Sequence, residues 1–174
     1  PGPQPALADA DAVARLRAAG AVLLGRTNMS EFAFSGLGLN PHHGHPANPS
    51  DAARITGGSS SGAAVTVALG LADAALGTDT GGSIRIPSAF CGLTGFKPTA
   101  RRVSLAGAYP LSRSLDSIGP LARSVDCCAI LDAVLSGATL DSAAAPLAGL
   151  RLGVTEDFVL DGLDAAVAQA FERG

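Results

Sequence analysis

The sequence has few aromatic and few charged residues. It contains no tryptophan, one tyrosine and one methionine, and aromatic residues make up 4% of the 174 positions. Its core must therefore be built from valine, leucine and isoleucine, with small residues allowing close approach. Charged residues make up 16%, against about 25% in an average soluble domain. This composition excludes a disordered chain and indicates a piece of something larger in which most surfaces are covered.

Several classes of protein are excluded by what else is missing. The formal net charge is −3, Lys97 is the only lysine, and no basic stripe predicts direct contact with nucleic acid. No apolar run is long enough to span a membrane, and the first residues lack the pattern of a signal peptide. The three cysteines are an odd number, and Cys127 and Cys128 are adjacent. This pattern predicts reduced thiols, no disulfide framework and a cytoplasmic location.

Short apolar runs alternate with stretches of helical pattern, which predicts an α/β fold. Residues 34–56 are rich in glycine, proline, asparagine and histidine and predict a long irregular segment of functional importance. Ser124 and Gly137 have the positions of an N-cap and a C-terminal stop around one helix. The predicted helices are 9–19 (capped by Asp9 or Asp11), 63–69, 84–90, 124–135 and 164–172, and the predicted strands are 21–24, 72–76 and 150–154.

Three familiar motifs can be considered and set aside. His42, His43 and His45 lie within one loop, but no cysteine or carboxylate at ligand spacing accompanies them, so no metal is expected. The segment 58–62 matches G-x-S-x-G, but no apolar strand precedes it and every histidine comes before it. The glycine-rich phosphate-binding motifs are absent. We expect no cofactor.

Two glycine- and serine-rich turns remain, GGSSSG at 57–62 and GTDTGGSIR at 77–85. In the second, the backbone N–H groups from Thr80 to Ser83 could converge on one oxygen, which is the geometry of an oxyanion hole. A serine at the end of such a turn is well placed to act as a nucleophile. Either turn alone is better explained by close packing of strands and helices.

Taken together, the two turns resemble the amidase signature family of serine hydrolases. The stretch from GGSSSG to GFKPT, residues 57–99, is similar to that signature almost from end to end. GRTNMSEFAFSG at 25–36 resembles the family's upstream segment, and residues 102–126 resemble its downstream segment. The resemblance covers roughly residues 9–137.

The resemblance implies a single large α/β domain with a mixed sheet flanked by helices. Residues 1–174 would form an incomplete amidase-signature domain, truncated at both ends, with its signature core at 57–99. The family hydrolyses carboxylic amides through a Ser–cis-Ser–Lys triad and an acyl-enzyme intermediate. By the resemblance, Ser83 is the nucleophile and Ser59 is the serine that follows the cis peptide and relays the proton. The oxyanion hole is the backbone of Thr80, Gly81, Gly82 and Ser83.

One departure from the family concerns its catalytic lysine. That lysine belongs upstream of the GRTN-like segment, and this chain begins too late to contain it. Lys97 lies downstream of the nucleophile, where we expect a structural role. Without the base the fragment itself is expected to be inactive. A smaller departure is Ser61, where many family members have glycine.

Three functions remain open for the parent protein. The first is a hydrolase of linear carboxamides. The second is the glutaminase subunit of a tRNA-dependent amidotransferase, which would require partner subunits. The third is a non-catalytic binding protein that retains the amidase fold. The expected partner is a small-molecule amide substrate, with a homodimer left open.

Overall fold

The structure, a computed structural model, describes residues 6–140, 146–154 and 157–173. The chain divides into two compact units, Pro1–Ser142 and Ala143–Gly174. The elements of the first unit are α1 (Asp11–Ala18), a 3-10 turn (Glu31–Ala33), α2 (Ser61–Ala68), β1 (Ala74–Asp79), α3 (Arg85–Phe90), β2 (Thr94–Gly95), β3 (Ser117–Ala122) and α4 (Val125–Ser136). The second unit contains a 3-10 turn (Phe158–Leu160) and α5 (Ala165–Arg173).

All five predicted helices are present, with ends that differ by a few residues. The predicted boundaries of α4 are confirmed: the Ser124 hydroxyl accepts a hydrogen bond from the Cys127 N–H at 3.2 Å, and Gly137 closes the helix with a φ of 73°. The predicted aspartate cap of α1 is wrong. Its N-cap is Ala10, because Asp9 pairs with Arg17 at 2.8 Å and Asp11 accepts from the Ser104 hydroxyl.

The described strands form one small antiparallel sheet in the order β1-β3-β2. The prediction of a fold that combines helices and strands is therefore confirmed. The expected mixed sheet is not found: over the described residues the sheet is antiparallel.

The central strand β3 was not predicted from the sequence, and it contains Pro120, a residue that is unusual in a central strand. The Pro120 carbonyl accepts a hydrogen bond from the Phe96 N–H at 3.1 Å, just beyond the end of β2. In an antiparallel strand the nitrogen and the carbonyl of one residue point to the same side, so the Pro120 nitrogen faces away from β1. The missing N–H of the proline therefore removes no hydrogen bond between β1 and β3.

Two predicted strands are wrong. Residues 21–24 and 150–154 are apolar, but both runs are irregular and pair with none of the three described strands. A strand needs a hydrogen-bonded neighbour for its backbone N–H and C=O groups, and an apolar run does not by itself supply one. The side chains of Val22 and Leu24 are 82% and 72% exposed. The predicted strand 72–76 is present but begins two residues later and extends to Asp79 as β1.

Helices cover both faces of the sheet. Ile118 and Leu121 of β3 point to opposite faces because their positions differ by an odd number. Ile118 packs with Ala12, Leu16, Val103 and Leu135, whereas Leu121 packs with Ala63, Ala64, Ile84 and Cys91. The sheet therefore lies between α1 and α4 on one side and α2 and α3 on the other. None of the helices described combines the length and the apolar character that crossing a membrane requires.

Candidate active site

The first glycine- and serine-rich turn leads directly into α2. The peptide bond between Gly58 and Ser59 is cis, as the family resemblance implied. Ser59 is completely buried, and its hydroxyl oxygen has no hydrogen-bond partner among the described residues. A buried hydroxyl without a partner is uncommon and calls for an explanation, which can be catalytic.

The upstream GRTN-like segment forms a backbone cradle for this turn. The Ser30 N–H donates to the Ser59 carbonyl at 3.0 Å, and the Gly62 N–H donates to the Asn28 carbonyl at 2.9 Å. Glycine is required at the closest approach, since a Cβ at Gly62 would lie 2.5 Å from the Asn28 nitrogen. This packing explains why the two segments, about thirty residues apart in the sequence, belong to one site.

The second turn is organised by Asp79, the last residue of β1. Asp79 is completely buried and accepts hydrogen bonds from the N–H groups of Gly82 at 2.8 Å and Ile84 at 3.1 Å. The Arg85 guanidinium donates to both of its oxygens at 3.0 Å. Ser83 lies between the two anchored N–H groups, so one carboxylate fixes the backbone on either side of it.

The charge of Asp79 is stabilised by these same contacts. Burial raises the pKa of Asp79, but the hydrogen bonds from the Arg85 side chain and the Ile84 N–H, together with the positive charge of Arg85, outweigh burial. The result is a pKa below the ordinary value of 3.8. Asp79 is therefore ionised at neutral pH, which its role as an acceptor from several donors requires.

The two turns are in direct contact. The Ser60 N–H donates to the Ser83 carbonyl at 3.2 Å, and Ser83 is 8% exposed. Of the four N–H groups predicted to form an oxyanion hole, that of Gly82 is engaged by Asp79. Within the described residues, the N–H groups of Thr80, Gly81 and Ser83 have no acceptor. The arrangement leaves three N–H donors for a bound oxygen, one of them in the same residue as the Ser83 hydroxyl.

A second carboxylate at this turn was also missed from the sequence. Asp116 is 7% exposed, and it accepts a hydrogen bond from the Thr80 hydroxyl at the start of the second turn. The sequence signal for Asp79 and Asp116 is that each lies in a segment resembling the family signature and is a single acidic residue in a stretch with few charges. That signal cannot say which backbone groups the carboxylates contact.

The histidine cluster and Lys97, which the sequence analysis also considered, lie in segments held by local hydrogen bonds. The Asn40 side chain accepts from the His42 and His43 N–H groups at 2.9 and 3.0 Å, and the Asn28 side chain donates to the His43 and Gly44 carbonyls. Among the described residues, no group of three or more histidines, cysteines or carboxylates could hold a metal ion. The Lys97 Nζ donates to the Pro98 carbonyl at 2.8 Å.

Comparison with known proteins places the chain in a family. The model of the Amidase family matches residues 3–174. The chain belongs to the amidase signature family. It is 45% identical over 179 residues to a subunit of the glutamyl-tRNA(Gln) amidotransferase of Thioalkalivibrio sulfidiphilus, a match that covers 95% of this chain and 37% of that protein. The chain therefore spans well under half the length of that relative.

Solved structures give the same relationship. A crystal structure described as an amidase superposes with a TM-score of 0.87 and 50% identity, covering 98% of this chain and 39% of the other. The native peptide amidase of Stenotrophomonas maltophilia superposes with a TM-score of 0.71 and 46% identity, covering 77% of this chain and 28% of the other. The described fold thus matches part of the fold of these amidases.

Proposed function

We propose that the protein to which this chain belongs hydrolyses a carboxylic amide through an acyl-enzyme on Ser83. The observation that carries the proposal is the position of Ser83. Ser83 lies at the end of a turn held by Asp79, two residues after Gly81. Its carbonyl accepts a hydrogen bond from the turn that contains Ser59. Amide hydrolysis is the activity of the family, and the substrate class is carried over as part of the proposal.

The proposed reaction has two halves. The Ser83 hydroxyl oxygen attacks the amide carbon, and the carbonyl oxygen becomes an oxyanion that the N–H groups of Gly81 and Ser83 stabilise. Ser59 passes the serine proton towards a base and back to the departing amine, so the C–N bond breaks and an ester remains. Water then attacks the ester, which releases the acid and restores the Ser83 hydroxyl. We assign the base to no residue of this chain, because the family's lysine belongs upstream of the GRTN-like segment, whereas Lys97 lies downstream of Ser83.

The nucleophile is tested with Ser83→Ala in the protein at its native length. Hydrolysis of a panel of linear amides should fall at least ~10³-fold, because the bond-forming atom is lost. A fluorophosphonate probe should label the Ser83 peptide in the parent and leave Ser83→Ala unlabelled, as read by mass spectrometry. Ser136→Ala, on α4, is the matched control and should retain both activity and labelling. Full turnover by Ser83→Ala would overturn the assignment.

The relay role is tested with Ser59→Ala. The rate constant kcat should fall by several orders of magnitude, as loss of one member of a catalytic triad does. The thermal unfolding temperature should change little, because the hydroxyl of Ser59 has no partner among the described residues. A change in KM alone would show that Ser59 binds substrate and does not carry the proton.

A second candidate is the glutaminase subunit of a tRNA-dependent amidotransferase. It is favoured by the 45% identity to a glutamyl-tRNA(Gln) amidotransferase subunit. Glutamine-dependent release of ammonia, together with co-purification of partner subunits, would support this function. Hydrolysis of simple amides without partners would favour the first candidate. If neither substrate is turned over and Ser83 is not labelled, the third function, a non-catalytic binding protein, takes their place.

A further inference from the structure

The register of the sheet brings Thr80 and Asp116 together. Asp79 of β1 is paired with Ser117 of β3, and the two strands are antiparallel. The next positions outwards on the two strands are Thr80 and Asp116, which therefore leave the sheet opposite one another. The Thr80 hydroxyl donates a hydrogen bond to Asp116 Oδ1 at this point. The contact joins the turn that contains Ser83 to the loop that precedes β3.

Asp116 also organises its own loop. Its Oδ2 accepts from the N–H groups of Leu111 at 2.9 Å and Ser112 at 3.0 Å, and its Oδ1 accepts from Ser112 at 3.0 Å. The loop is closed further by hydrogen bonds from the N–H groups of Leu115 and Asp116 to the Ser112 carbonyl. One carboxylate therefore holds residues 111–116 in a compact turn and binds that turn to Thr80.

The carboxylate of Asp116 depends on these donors. It is 7% exposed, and no arginine, lysine or histidine among the described residues forms a salt bridge with it. A buried negative charge without a cation is costly unless hydrogen bonds replace its water. Three groups supply those bonds, two from the loop and one from Thr80. Loss of the Thr80 hydroxyl should therefore loosen the loop as well as the turn.

We propose that Asp116 is a positioning residue that acts through Thr80, so that the loop 111–116 and the turn containing Gly81 and Ser83 move as one unit. The proposal rests on the proposed amide hydrolysis. Asp79 fixes the turn at Gly82 and beyond, whereas Asp116 fixes it at Thr80. The N–H groups of Gly81 and Ser83 lie within the segment that these carboxylates hold. Bonds from a donor to an oxyanion are sensitive to small displacements, so the anchor at Thr80 contributes to the rate.

The experiment compares Thr80→Val, which removes the hydroxyl and keeps the branched side chain, with Thr80→Ser, which keeps the hydroxyl. Both are made in the protein at its native length and assayed on an amide that the parent hydrolyses. We expect Thr80→Val to lower kcat about tenfold, the effect of losing one hydrogen bond to a charged group, with little change in KM. Thr80→Ser should retain kcat within about twofold of the parent on the same reasoning.

A double-mutant cycle tests whether Asp116 acts through Thr80. Asp116→Ala should lower kcat at least as much as Thr80→Val, and the combined variant should lose no more than Asp116→Ala alone. If the fold-losses in kcat of the two single variants multiplied in the combined variant, the proposal would be overturned. Asp132→Ala is the matched control, because Asp132 is also 7% exposed but pairs with Arg102 at 2.7 Å. It should lower the unfolding temperature and leave kcat per folded molecule unchanged.

Amide hydrogen exchange provides a readout that does not depend on turnover or on the Asp116 variant folding. Exchange at residues 111–116 should be faster in Thr80→Val than in the parent, and unchanged in Thr80→Ser. Unchanged exchange in Thr80→Val would overturn the coupling. Ser83-dependent turnover that is insensitive to Thr80→Val would overturn the positioning role while leaving the proposed function intact. If exchange at residues 111–116 were faster in Thr80→Val but the protein turned over no amide, the coupling would be supported and the proposed function contradicted.

Discussion

At the scale of single residues, Asp79 links stability to the geometry of the candidate site. Its folded-state pKa is lower than the ordinary value of 3.8, so its contribution to stability is fully present above that pH. The contribution is lost as the pH falls through the lower, folded-state pKa. We therefore predict that Asp79→Asn reduces the free energy of unfolding most at neutral pH. The difference from the parent should shrink as the pH falls below 3.8.

Urea unfolding at a series of pH values measures this difference. Asp73→Asn is the control, because the Asp73 side chain is fully exposed and its contact with Arg123 is 3.4 Å long. That variant should unfold like the parent at every pH. If the destabilisation by Asp79→Asn were the same at acid pH as at neutral pH, the ionised carboxylate would not be the stabilising species.

Residue by residue, the resemblance pointed to the two serines and could not describe their contacts. Ser59 and Ser83 lie on two turns that are joined by the hydrogen bond from the Ser60 N–H to the Ser83 carbonyl. The engagement of the Gly82 N–H by Asp79 could not be predicted, because it depends on the path of the turn through space. The catalytic roles of both serines stay predictions that the proposed variants test.

At the scale of elements, helices with clear signals at their ends were predicted best. The serine at 124 and the glycine at 137 define α4 in the sequence and in the structure. Strands were predicted poorly, because their existence depends on distant partners. The apolar run 21–24 has no described partner, whereas β3 contains Pro120 and still forms, since the proline nitrogen faces beyond the end of β2.

The cap of α4 gives a prediction at this scale. Ser124→Ala removes the acceptor of the Cys127 N–H and should lower the free energy of unfolding by about 1 kcal/mol, the usual effect of losing an N-cap. Urea unfolding at neutral pH measures the change. Thr139→Ala, at an exposed position beyond the end of the helix, should leave the midpoint unchanged. Equal stability of Ser124→Ala and the parent would mean that water replaces the cap without loss.

At the scale of the whole molecule, low charge and high apolar content have a direct structural consequence. The composition indicated a chain with most of its surfaces covered, and the chain spans 37% of the length of its relative from Thioalkalivibrio sulfidiphilus. In the first unit, Val22, Leu24 and Phe34 are each more than 70% exposed. Apolar side chains in contact with water attract one another and apolar dyes.

A polypeptide of these 174 residues alone is therefore expected to bind a hydrophobic dye and to self-associate as its concentration rises. Replacing Val22 and Leu24 by serine should lower the dye fluorescence and shift sedimentation towards the monomer, because both side chains face solvent. Serine at the exposed Ala19 and Ala138 is the control, since it removes little apolar area. A monomeric polypeptide that binds no dye would mean that these side chains are covered by contacts within the chain, and the expectation would be contradicted.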